Sequence, residues 1–269
     1  MSSPAWSLAH RHLVGDTSAE LIAVAITPSR VAAVVGVVLA ASILQRVSGF
    51  GFSLMATPLL GLAMPLSQAV VILSFVSIPS TTLTWRQLRA HADSRQVRRL
   101  IGWSVPGLPL GLLVHRVVPD RPIRIVLAVV ILIAVGLLIT GWKLPIRHVA
   151  VADGVAGFVS GVLNTSTGTN GPPLVFDLTS QNVSPDQLRA TLSGVFAFSG
   201  IAAVVLFAID GSLDADALVT GGAALPFALL GQFAGTRLAP HVSGATFRRL
   251  TFALLVATAF ATAAKALRF

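Results

Sequence analysis

Two short polar runs interrupt otherwise apolar sequence, and they hold the groups best placed to do chemistry. The first is Gln45-Arg46-Val47-Ser48-Gly49-Phe50-Gly51-Phe52-Ser53, and the second is Asn164-Thr165-Ser166-Thr167-Gly168-Thr169-Asn170-Gly171-Pro172-Pro173. They offer hydroxyls, amides, glycine backbone and one cation, Arg46, with no Asp or Glu in either run. Such a set donates hydrogen bonds without a fixed negative charge beside them, which suits holding an anion. The expected contacts are Arg46, Ser48, Gly49, Phe50, Gly51 and Ser53 from the first run. From the second they are Thr165, Thr167, Gly168, Thr169, Asn170 and Gly171. Asp177, the only acid in the apolar stretch that resumes after the second run, is the candidate for proton coupling.

Other chemistries lack their residues. There is no Cys, hence no disulfide framework or thiolate metal site. The six His lie outside or at the ends of the apolar segments and form no HExxH pair, so neither a metal nor a cofactor is expected. No buried His, Cys or carboxylate pair is visible to act as acid and base, and no catalytic residue is expected. No Gly-rich run ends in Gly-Lys-Ser/Thr, so an ion gradient or the solute's own gradient must supply the energy.

The elements that position these runs are membrane helices. Of 269 residues 54% are apolar and 11% charged, and mean hydropathy is +0.83. A soluble domain carries roughly 25% charged residues. The net charge of +9 sits in clusters flanking apolar segments, which speaks for a lipid bilayer as partner and against nucleic acid. Stretches long enough to cross the hydrocarbon core, about 20 residues, are Leu66–Leu83, Leu100–Val114, Ile123–Thr140, Ala190–Ile209, Ala217–Phe233 and Leu250–Ala264. Polar, Gly- and Pro-rich backbone at membrane depth must be buried in protein or line a cavity.

The two runs are related. A shift of 120 positions superposes Gly51 on Gly171, Leu54 on Leu174, Pro65 on Pro185, Pro106 on Pro226 and Gly111 on Gly231. This predicts a tail over 1–27, a first membrane repeat over 28–141, a linker over 142–148 and a second repeat over 149–269. Window 86–99 holds five Arg against one Asp, whereas 206–219 holds three Asp and no Lys or Arg. Equivalent loops of opposite cation content belong on opposite sides of the membrane. The expected fold is therefore an all-α integral membrane protein of two inverted repeats. Each is a broken or re-entrant helix pair plus about three spanning helices. Placing 86–99 in the cytoplasm puts eleven Lys/Arg inside and seven outside, with the 116–124 loop and its three Arg the weakest point of the assignment.

The runs also resemble those of the sulfite exporter TauE/SafE family. Gly49-Phe50-Gly51-Phe52-Ser53-Leu54 with Pro58 is similar to the family's first Gly/Phe motif. Gly168-x-Asn170-Gly171-Pro172-Pro173-Leu174 is similar to its second, and Ser184-Pro185-x-Gln187-Leu188-Arg189-Ala190-Thr191 to the segment that follows. The resemblance implies secondary transport of a small anion across the cell membrane: sulfite, thiosulfate or an organosulfonate. An anion channel using the same loops and a carrier of a non-sulfur organic anion stay open as alternatives. So do the direction of transport, the coupling ion and the oligomeric state.

Overall fold

The computed structural model describes residues 28–48, 50–238 and 244–268. The expected tail over 1–27, the Gly49 position and the side chain of Ser48 lie outside what it describes. The described residues form ten α-helices and one 3-10 turn, with no strand among them. Helices α1 (Pro28–Ser48), α2 (Phe52–Ala63), α3 (Leu66–Leu88), α4 (Ser94–Val117) and α5 (Asp120–Thr140) form the first half. Helices α6 (Val149–Thr167), α7 (Gly171–Ser180), α8 (Pro185–Asp210), α9 (Ala215–Leu238) and α10 (Gly244–Arg268) form the second. Six are long and apolar enough to cross a membrane; α2 and α7, of 12 and 10 residues, are too short.

The apolar stretches become helices, and the polar runs become their breaks. Glycine makes each break possible: Gly51 has φ 100° ahead of α2 and Gly168 has φ 69° after α6. That left-handed region is one in which a Cβ is strained. The N–H groups of Gly168 and Thr169 fold back onto the carbonyls of Asn164 and Leu163, at 3.1 and 3.2 Å, and end the helix.

Packing exchanges the halves. The most extensive helix pairs are α4 with α6 and α1 with α9, so the first helix of each half lies on the fourth helix of the other. Small residues allow this. A Cβ on Gly107 or Gly111 of α4 would lie 2.3 or 2.2 Å from the α6 carbonyl of Phe158 or Val162. One on Gly231 of α9 would lie 2.6 Å from Ser42 Cβ on α1. Close backbone approach at small residues is how helices associate where lipid removes the hydrophobic drive. The third helices, α3 and α8, pack on each other, as do the fifth, α5 and α10. Outward-facing apolar side chains such as Leu113, Ile133, Val155, Ile201, Leu230 and Phe233 are exposed and form a lipid-facing surface.

Ion pairs and caps sort the helix ends into two sets. At one end Arg30 of α1 pairs with Asp216 of α9 and Arg116 of α4 with Asp210 of α8, both at 3.0 Å. Also there, Arg124 of α5 donates to the carbonyls of Gly61 and Met64 at the end of α2 and is paired with Asp120. Lys265 of α10 donates to Gly61 and Leu62. Cations at the C-terminal end of a short helix oppose its negative pole. At the other end Arg99 of α4 pairs with Asp153 of α6, and the 142–148 segment is fastened to the C-terminal end of α7. There Leu144 N–H donates to Ser180 Oγ, Lys143 to Asn182, and Trp142 stacks on Phe176.

Candidate functional site

The starts of α2 and α7 meet in one cavity of about 30 Å³. Gly51 and Ser53 line it from the first break, and Gly168, Thr169, Asn170 and Gly171 from the second. Gln45 of α1, Asn164 of α6, Ser74, Ser77 and Thr81 of α3, and Phe196 and Gly200 of α8 complete it. Its lining contains no acidic, basic or His side chain.

Two helix N-termini bordering one neutral polar cavity favour negative charge there. The first N–H groups of a helix have no partner within it, and the dipole adds positive potential. The two starts are unequal donors. Helix α2 brings the N–H groups of Phe52, Ser53 and Leu54, because the first backbone bond of its ladder runs from Met55 N–H to Gly51 O. Helix α7 carries Pro172 and Pro173 in its first turn, so of its first three residues only Gly171 has an N–H to offer. Side chains around the second break are held in place. Asn170 Nδ2 donates to Ser199 Oγ at 3.1 Å, Asn164 Nδ2 to Ser199 O at 2.9 Å, and Ser160 Oγ to Asn170 O at 2.9 Å.

Other expected contacts lie elsewhere. Thr165 is buried against α4, its hydroxyl donating to Leu108 O at 2.7 Å. Thr167 bonds Leu163 O and the Thr169 hydroxyl. Both are consumed by helix packing and by the break itself. Phe50 lines a separate apolar cavity of about 200 Å³ with Leu54, Trp142 and Phe176.

Arg46 belongs to a vestibule. Its Nε donates to Thr236 Oγ1 at 2.8 Å and its terminal nitrogen to Gln87 Oε1 at 3.3 Å. It lines a cavity of about 190 Å³ with Thr84, Asp186, Arg189, Ser193 and Thr236. That cavity shares Gln45, Thr81 and Phe196 with the break cavity, so the two adjoin. The Gln45 carboxamide oxygen accepts from Gln232 Nε2 at 3.0 Å, which positions it at the boundary.

Asp177 joins a buried polar cluster that the sequence reading did not foresee. Asp153, wholly buried, takes Arg99 at 2.7 and 2.8 Å on one oxygen and the amides of Gln96 and Gln181 on the other. Gln181 Nε2 also donates to Asp177 Oδ1 at 3.0 Å. The expected absence of a carboxylate pair is thereby corrected: Asp153 and Asp177 share one bridging amide. Among the described residues no group of three or more His, Cys, Asp or Glu could hold a metal ion.

Comparison with known proteins agrees with this architecture. The family model described as sulfite exporter TauE/SafE matches residues 33–262. The probable sulfite/organosulfonate exporter TauE of Cupriavidus necator is 29% identical over 222 residues, covering 79% of this chain and 85% of the relative. No solved structure matches. Members of this family are membrane transporters and not enzymes. With both polar breaks and every helix except the ends of the first and last inside the matched span, the chain belongs to the sulfite exporter TauE/SafE family.

Proposed function

We propose that the protein carries a small sulfur-containing anion across the cell membrane, bound between the N-terminal ends of α2 and α7. The observation that carries this reading is the neutral cavity into which both helix starts point. An anion there would receive backbone N–H groups from two sides in a water-poor setting, where such donors act strongly. The space is small. A cavity needs roughly 10–15 Å³ on this measure to hold one water, so about 30 Å³ suits a solute of a few heavy atoms. Sulfite and thiosulfate fit that description; a longer organosulfonate requires the cavity to widen.

The route runs through the vestibule. Arg46 and Arg189 line it against the single Asp186, so an anion meets net positive charge before reaching the neutral site. The vestibule opens at the end of the bundle that holds the Arg-rich 86–99 segment, and the distribution of cations supports a cytoplasmic position for that end. The helix ends gathered into two sets by the ion pairs support two inverted repeats. The α1–α2 hairpin enters from one face and the α6–α7 hairpin from the other, each followed by three crossings. Halves packed alike but inverted can open the same site alternately to the two sides.

Purified protein in liposomes tests this reading by counterflow. Vesicles loaded with unlabelled thiosulfate should take up labelled thiosulfate above its equilibrium level, and sulfite outside should compete. Uptake without counterflow identifies a channel, and counterflow of a cation or sugar alone removes the anion reading.

A further inference from the structure

The geometry points to Asp177 as a proton-binding site that loads together with the anion, an inference resting on the anion reading above. Asp153 has every need of a carboxylate met: Arg99 on one oxygen and two amides on the other. Asp177 has one amide at Oδ1, while Oδ2 is buried with no hydrogen-bond partner; the residue is only 5% exposed. One guanidinium thus serves two carboxylates. An ionised Asp177 would leave a buried charge unpaired, at the C-terminal and therefore negative end of α7. A proton on Oδ2 makes the cluster neutral and gives that oxygen a hydrogen to donate.

The surrounding charges are few. Arg99 reaches the cluster from α4 and Asp153 from α6. Arg147 and His148 of the 142–148 segment line the same cavity as Asp177, about 480 Å³ in volume. The charged side chains of α5, namely Asp120, Arg121 and Arg124, stand at its far end by α2. Asp186 and Arg189 of α8 line the vestibule. The 142–148 segment and the C-terminal end of α7 lie at the same end of the bundle as the vestibule, so a proton and an anion can load from one side.

One rigid helix connects them. Gly171 at the start of α7 lines the anion cavity, and Asp177 lies six residues on, roughly 9 Å along the axis. Opposite charges at that separation in a protein interior change each other's affinity by roughly tenfold. The coupling is reciprocal: the proton tightens the anion and the anion tightens the proton.

The test uses purified protein in lipid, with thiosulfate as probe because it does not itself titrate near neutrality. Infrared difference spectra over a pH series, with isotope-labelled aspartate, should show a protonated carboxyl band that Asp177→Asn removes. Saturating thiosulfate should move its titration about one pH unit to the alkaline side. In parallel, thiosulfate affinity should rise roughly tenfold as pH falls through that titration in the wild type and stay flat in Asp177→Asn. An Asp177 band that ignores thiosulfate, a wild-type pH dependence in the variant, or thiosulfate binding without any Asp177 band overturns the coupling. An Asp177 band in a protein that binds no thiosulfate upholds the proton site and overturns the anion reading instead.

Discussion

Arg116 on α4 lies 3.0 Å from the carboxylate of Asp210 on α8, at the bundle end away from the vestibule. Beside this pair His115 and Phe207 meet with ring centroids 5.2 Å apart. The positions 120 residues away tell the other half's story. Thr236 corresponds to Arg116, Gly235 to His115 and Gln87 to Phe207. There no rings meet, and Arg46 spans Thr236 and Gln87 beside an open cavity. Equivalent places thus hold an ion pair and a ring contact at one end and a cavity at the other; under the proposed carrier reading the pair acts as a seal that opens in alternation with the vestibule.

The seal should yield to mutation. The Arg116 side chain is 63% exposed, so the pair contributes about 0.2–1 kcal/mol at most. Asp210→Ala should shift the population open at that end by up to about fivefold. A Cys placed at Ser53, in a chain with no other Cys, reports it. Its labelling from the sealed side should rise by that factor, and unchanged labelling contradicts the gate.

Topology is tested with two more single-Cys variants. Arg95 stands at the start of α4 and Asp214 just before α9. A Cys at 95 should react only from the cytoplasm and one at 214 only from outside. Reaction of both from the same side ends the inverted-repeat account.

Arg46→Ala separates steering from binding. Because the guanidinium lines the vestibule rather than the break cavity, its removal should slow anion capture several-fold at low ionic strength. The loss should fade at high salt, where charges beyond about 8–10 Å are screened. Equilibrium affinity should stay within about threefold. A ten- to hundredfold loss of affinity at all salt concentrations would place Arg46 on the ligand, at the 1.5–3 kcal/mol of a charge-assisted hydrogen bond.

The crossing of α4 and α6 predicts a stability contrast. A methyl on Gly107 or Gly111 would sit 2.3 or 2.2 Å from backbone oxygen, whereas nothing lies within 4 Å of one on Gly102 or Gly136. Ala at 107 or 111 should cost at least the 1–3 kcal/mol of overpacking. Ala at 102 or 136 should leave thermal stability unchanged or raised. Thermal unfolding in detergent compares the four.

The two breaks were legible because Gly, Pro and hydroxyl residues at membrane depth are costly unless a cavity receives them. Their partners on α3 and α8 were not. Ser74, Ser77 and Thr81 fall at ordinary helical spacing, and only the rotation of α3 in the bundle turns them inward. Arg46 read as a ligand because a cation in an apolar stretch is unusual, yet it falls in the last turn of α1 and finds Thr236 across the sequence. The three Arg over 116–124 strained the charge count for the same reason. Arg116 is paired with Asp210, far along the chain, and Arg124 is buried on Asp120 one turn back and on the carbonyls at the end of α2, so two of the three have fixed partners. Asp153 carries no signal in the sequence, being a single acid in the first turns of α6, and its burial depends on the amides of Gln96 and Gln181 closing over it.

Gly171→Ala tests the anion site most directly. A Cβ there meets nothing closer than Phe196 Cζ at 3.7 Å, an ordinary contact, so the variant should fold. The same change at Gly168 combines positive φ with a 3.2 Å approach to Thr57, which confounds folding with binding. The measurement is thiosulfate and sulfite affinity of purified wild type and Gly171→Ala by titration calorimetry, with thermal unfolding as the control for folding. The added methyl narrows a cavity of about 30 Å³, and the account predicts at least a tenfold loss of affinity with little change in melting temperature. A stable variant that binds both anions as tightly as the wild type would show that the ligand does not sit between α2 and α7.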